Sequence, residues 1–129
     1  MSLISREVAK TRVALALHTL ERIRVSAVSE LTCGRTIDSG EPFRELKTLA
    51  DYGITGAAIN RFREALARWC PELEGFVRNA PGFPLRPDLQ VRDVIDVVNA
   101  KLLAHPGPLV CGADHWETKT EEIRNALPQ

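Results

Sequence analysis

A chain of 129 residues suits one domain with its own core, and a hydrophobic fraction of 44% with only 5% aromatics makes that core mainly aliphatic. Lys+Arg and Asp+Glu balance at 17 each, so no global field draws the protein to nucleic acid or to an anionic membrane. No apolar run approaches the roughly 18 residues of a membrane span, residues 1–12 lack the apolar stretch of a secretory signal, and three widely spaced cysteines, Cys33, Cys70 and Cys111, suit a reducing cytoplasm better than a disulfide framework.

Residues 5–26 predict a long first helix. Val13, Ala16, Leu17, Leu20 and Ile23 form an apolar stripe, while Arg6, Lys10, Arg12, Glu21, Arg22 and Arg24 decorate the remainder. Ser5 is placed to cap its start, and Glu7 falls in the first turn, where the helix dipole favours an anion. His18, near the stripe, reads as a hydrogen-bonded structural histidine, because no nucleophile or carboxylate partner is local to it. Through 28–42 the periodicity stops. Two glycines, a proline and several Ser, Thr and Asp residues predict a long loop pinned by Val28, Leu31 and Ile37. Gly34-Arg35-Thr36 and Asp38-Ser39-Gly40 lack the spacing of a phosphate-binding loop.

Pro42 then opens a segment in which Phe43, Leu46 and Leu49, three apart, predict a short helix ending at Gly53. The stretch 49–69 is the one around which the chain reads as organised. Ile59, Phe62, Leu66 and Trp69, with Ala65 between, make one buried helix face, Thr55 is the expected N-cap, and Pro71 closes the helix after Cys70. One or two further turns follow, with Leu73, Phe76 and Val77 inward, and then a proline-rich connector from which Phe83 and Leu85 plug the core. Val91, Val94, Ile95, Val98 and Leu102, with Asp93 in the first turn, predict a strong helix that ends at His105-Pro106-Gly107-Pro108. The weakly amphipathic tail (Trp116, Thr120, Ile123, Leu127) either packs back or stays mobile. No stretch alternates as a strand does. The expected fold is all-α: a helical bundle over 1–104, with a long loop after helix 1, and a C-terminal segment over 105–129.

The chemistry-bearing residues are sparse. His105, Cys111 and His115 fall short of the four ligands a structural zinc takes, so no metal is expected. No carboxylate pairs with another in an apolar setting, and an enzyme in its own right is the least supported role. The central helix carries Asn60, Arg61, Arg63, Glu64 and Arg68. Arg61 and Arg68 are seven apart on one face, and Glu64 is three from one and four from the other, the spacing of an exposed face laced with local ion pairs. Read functionally, that face is a mildly basic docking surface for an acidic partner.

Two segments resemble acyl and peptidyl carrier proteins. PFRELKTLADYGITGAAINRFREAL is similar to the region of that family where a Phe-x-x-Leu-Gly turn meets an Asp-Ser-Leu motif at the start of helix two. LQVRDVIDVVNAKL resembles the family's last helix, with its Leu-Thr-Val-x-Asp-Val-Ile pattern, and the order and spacing agree over residues 8–103. The resemblance implies a four-helix bundle of the acyl-carrier-protein-like type. It also implies a turn, Asp51, Tyr52, Ile54 and their neighbours, that together with helix two meets partner enzymes. In the family a serine there carries phosphopantetheine. Here the position holds Gly56 when aligned by the turn glycine and Thr55 when aligned by the apolar stripe, and neither is serine. The family's acidic second helix is basic here, which weakens or reverses the usual docking polarity.

The expectation is therefore a non-catalytic protein-interaction module without a phosphopantetheine arm. Its recognition surface comprises Asp51, Tyr52, Ile54, Asn60, Arg61, Arg63, Glu64 and Arg68, and its partner is another protein, such as a biosynthetic or acyl-transfer enzyme. One alternative is a working acyl or aminoacyl carrier of fatty-acid, polyketide or nonribosomal-peptide type, with phosphopantetheine on an atypical residue, Thr55 being the candidate. Another is a small helical nucleic-acid-binding regulator using Arg61, Arg63 and Arg68, which zero net charge disfavours.

Overall fold

The computed structural model describes residues 6–23, 43–107 and 109–126. The first helix, α1, spans Arg6–Thr19, and every residue from 11 to 18 is buried. A helix buried all round belongs in the middle of a fold. α1 occupies that place: α2 (Ala57–Trp69), α4 (Val91–Ala104) and α5 (Gly112–Ala126) all pack against it, and α2 and α4 face α1 more than one another. The organising element is thus α1 rather than the stretch 49–69. Among the described residues the structure is all-α, with no strand. No described helix is long and apolar enough to cross a membrane.

α1 ends earlier than the expected residue 26. The N–H of Arg22 reaches the carbonyl of Leu17 at 2.9 Å, that of Glu21 reaches His18 at 2.8 Å, and Glu21 lies in the left-handed region at φ 57°. That double bond pattern is a Schellman stop, closed here by a glutamate where glycine is usual. Ser5, the loop 28–42 with Ser39, and Cys33 lie outside the described residues.

The short helix expected before Gly53 reduces to one 3-10 turn, Ala50–Tyr52, with Phe43 and Leu49 buried but Leu46 65% exposed. Its backbone is committed elsewhere. Leu49 and Ala50 N–H donate to the carbonyls of Leu89 (2.8 Å) and Pro87 (2.9 Å), while Val91 and Arg92 N–H donate to Lys47 and Glu45, both at 2.8 Å. The last two are first-turn donors of α4 that its own helix leaves without partners. Segment 45–50 therefore serves as a cap for α4, reinforced by Asp93, whose carboxylate accepts from Gln90 N–H at 3.1 Å. Arg6 adds a charged tie among the same elements, reaching Glu45 at 2.6 Å and Asp96 at 2.7 Å.

α2 buries Ala58, Phe62, Ala65, Leu66 and Ala67 and stops at Cys70, before Pro71. A 3-10 turn, Pro71–Leu73, leads into the short α3, Glu74–Arg78, which turns Leu73 and Val77 inward. Phe83 and Leu85 plug the core from the proline connector, and Phe83 stacks on Phe76 with ring centroids 4.9 Å apart. α4 buries Val91, Val94, Ile95, Val98 and Leu102 and ends at extended His105, as the following proline requires. The C-terminal segment packs back: Leu109, Trp116 and Ile123 share the core with α1, and the Thr11 and Thr120 hydroxyls meet at 3.1 Å.

Candidate functional site

The corner 51–56 divides between core and surface. Gly53, at φ 74°, closes the 3-10 turn, and Ile54 N–H reaches back to Leu49 O at 2.9 Å, so the next side chain is driven inward. Ile54 is fully buried and Tyr52 is 3% exposed, with its hydroxyl accepting from Arg44 N–H at 2.7 Å. Neither stands on the recognition surface expected for them. Asp51 is exposed, but its carboxylate accepts from Thr48 N–H at 2.9 Å while Thr48 Oγ1 accepts from Asp51 N–H at 3.1 Å, a reciprocal pair of the capping-box kind that holds the turn.

Thr55 is exposed and does not cap α2 through its side chain. The N-cap is Gly56, and Thr55 contributes its carbonyl, which accepts from Ala58 N–H at 2.9 Å. Gly56 sits at φ 54°, ψ −127°, a conformation that L side chains rarely adopt, although nothing lies within 4 Å of where a Cβ would be. The space is open and the backbone is not. A serine at this position would sit in strained geometry, so the residues present do not fit a serine-linked arm at Gly56.

On α2, Arg63 leaves the surface as well. It is 8% exposed and its Nη1 donates to Val77 O and Phe83 O, each at 2.8 Å, tying α2 to α3 and to the connector. Burial pulls its pKa below the ordinary arginine value. Asn60, Arg61, Glu64 and Arg68 do remain exposed on one side of the helix. Glu64 pairs with Arg78 of α3 instead of with Arg61 or Arg68, which have no ion pair among the described residues. These four side chains, with Ala65 of α2 and Thr19 and Leu20 at the end of α1, line an open groove of about 300 Å³.

Reading the sequence missed the most buried charge. Arg12, expected on the decorated side of α1, is wholly out of solvent, as is the side chain of Glu72 that faces it. Two parallel bonds join them, Nη1 to Oε1 and Nη2 to Oε2, the second at 2.8 Å, and Nη1 also donates to Trp69 O at 3.3 Å. The Trp116 ring covers the guanidinium at 4.0 Å, and Val110 N–H donates to Glu72 Oε2 at 2.9 Å. Burial works to raise the Glu72 carboxyl, but the hydrogen bonds and charge of Arg12 outweigh it and hold the group below the ordinary carboxylate value. Burial also pushes the neighbouring Cys70 thiol up to about 11, against the pull of Arg12. A signal existed: Arg12 abuts the run Val13–Leu17, too apolar for a one-faced helix.

Among the described residues no three of His, Cys, Asp and Glu gather as a metal site. His105 ends α4, Cys111 is exposed at φ 71° and His115 packs edge-on to Trp116. Comparison with protein-family models, with curated proteins and with solved structures finds no match for this chain.

Proposed function

We propose that the chain is a non-catalytic protein-interaction module of carrier-protein-like shape, that it carries no phosphopantetheine arm, and that it meets its partner through the exposed side of α2. The observation that carries this reading is Gly56. It occupies the corner where the resemblance places the attachment serine, offers no nucleophile, and has a backbone that only glycine adopts without strain. A few residues on, the same helix presents Asn60, Arg61, Glu64 and Arg68 to solvent beside an open groove. With function argued from the site and not from the fold, that pairing favours recognition over acyl transfer.

Intact mass after incubation with coenzyme A and a broad-range phosphopantetheinyl transferase is the test. The expected mass is unchanged, and a phosphopantetheine adduct overturns the proposal. The exposed hydroxyl of Thr55 sustains the second reading, a carrier loaded at an atypical residue. An adduct that disappears in Thr55→Ala establishes it, and one that persists removes Thr55.

A further inference from the structure

We infer that the groove between α2 and the end of α1 takes an acidic amphipathic helix of a partner protein, with two carboxylates on Arg61 and Arg68 and an apolar side chain between them on Leu20 and Ala65. The inference rests on the interaction-module reading and specifies its partner. Charge complementarity carries it. Arg61 and Arg68 are exposed, without ion pairs among the described residues, and both line the groove. Glu64, the carboxylate nearest them in sequence, is engaged by Arg78 and does not neutralise them. A guanidinium in this state offers a carboxylate two parallel hydrogen bonds.

The spacing selects a helix. Seven residues of α2 advance about 10 Å along its axis, so partner carboxylates two turns apart reach both arginines when the helices lie nearly parallel or antiparallel. Between the arginines the lining is Ala65 and Glu64, the latter held by Arg78, with Leu20 and Thr19 at the end of α1 completing it, and the Ala65–Leu20 part suits an aliphatic side chain. A nucleic-acid backbone, with a charge every ~1.7 Å of duplex, calls for a longer run of cations and leaves an apolar floor unused.

The probe is a labelled helical peptide with glutamates seven apart flanking two leucines, titrated into the full chain and read by fluorescence anisotropy. Saturable binding is expected, weakened about ten-fold or more by R61E/R68E. Both positions are exposed, so circular dichroism of the variant should match the parent. A peptide with lysines in place of the glutamates should prefer R61E/R68E to the parent, an inversion that loss of folding cannot produce. No saturable binding, or equal affinity of the acidic peptide for parent and variant, overturns the inference. So does a DNA duplex that binds more tightly than the peptide with a steep salt dependence, or self-association that R61E/R68E abolishes. If the inference fails while the protein's mass stays free of an adduct and a partner still cross-links to α2, the interaction-module reading survives without it.

Discussion

The guanidinium of Arg12 and the carboxylate of Glu72 meet beneath the ring of Trp116, both side chains fully removed from water. Taking two charges out of solvent costs several kcal/mol each, repaid only by close geometry and further hydrogen bonds. Here the bonds are bidentate, Trp69 O takes a third N–H, and Val110 N–H completes the carboxylate. The pair thereby joins α1, the turn after α2 and the segment before α5. Trp116 lies on the guanidinium, so α5 is seated by the same charge. Such a pair is weak evidence of net stability, because the cost of taking both charges out of water can match their attraction.

Removing one partner strands the other. Arg12→Met should cost about 3–5 kcal/mol by leaving a buried carboxylate without its cation. The double variant R12M/E72M should recover most of that loss, since a well-packed apolar pair is close to neutral. Chemical denaturation of the three proteins checks both, and a double variant no better than the single would contradict the account.

Acid should unfold the protein through this pair and through the separate Arg6–Glu45 pair. Glu72 and Glu45 are both held below the ordinary carboxylate value of about 4.5: Glu72 by Arg12 against the opposing effect of burial, Glu45 by its hydrogen bond from Arg6. The unfolded chain then takes up these protons before the folded one does. Their stabilisation is complete above the unfolded value and is lost as pH falls through the folded one, from about pH 5 downward. Urea midpoints measured between pH 7 and pH 3 should drop across that window. Glu72→Gln should be less stable at pH 7 but flatter in acid.

The end of α1 offers a gain. Glu21 adopts φ 57° in a Schellman stop, where a side chain costs about 1–2 kcal/mol relative to glycine. Glu21→Gly relieves that strain but frees the unfolded chain, so the net expectation is a stabilisation of about 0.5–1 kcal/mol. A raised thermal midpoint checks it, and a lowered one would mean that the glutamate side chain contributes more than its backbone loses.

The two Schellman-type stops show what was legible in the sequence. Gly53 announced its turn because glycine is the usual residue there. Glu21 carried no such mark, and the apolar stripe ran on through Ile23, so the helix read long. α2 and α4 were plain because their buried residues repeat at helical spacing and one side of each meets solvent. The segment 43–53 also had helical spacing. Its backbone, however, is captured by residues 87–92, a pairing about forty positions away that no local pattern encodes. Burial of Arg12 and Arg63 escaped for a related reason: each is decided by carbonyls and a carboxylate that only the fold brings near. The exposure of Arg61 and Arg68 is legible from their spacing on α2, yet the Glu64 pairing is not, because its partner Arg78 sits on another helix.

Thiol chemistry should follow burial. Cys70 is fully buried and its pKa is raised to about 11, whereas Cys111 is exposed. At pH 8 the Cys70 thiolate amounts to about one part in a thousand, and the reagent has no path to it. In a Cys33→Ser background, a chromogenic disulfide reagent should label one thiol quickly and the second only at the rate of unfolding. Two fast thiols would place Cys70 near the surface.

The corner makes the last prediction, and it separates backbone from space. At Gly56 a Cβ meets nothing within 4 Å, so Gly56→Ala has no clash to relieve and its whole effect comes from φ 54°, ψ −127°. Backbone strain of this kind costs about 1–3 kcal/mol, and Gly56→Ser should lose a comparable amount, less whatever its hydroxyl regains by capping α2. Thr55→Ser, one residue earlier and exposed, should change stability by less than about 0.5 kcal/mol. Thermal unfolding of the three variants gives the comparison. Were Gly56→Ser as stable as the parent, the corner would accommodate a serine after all, and the strain at Gly56 could no longer separate this chain from a carrier that holds its arm there.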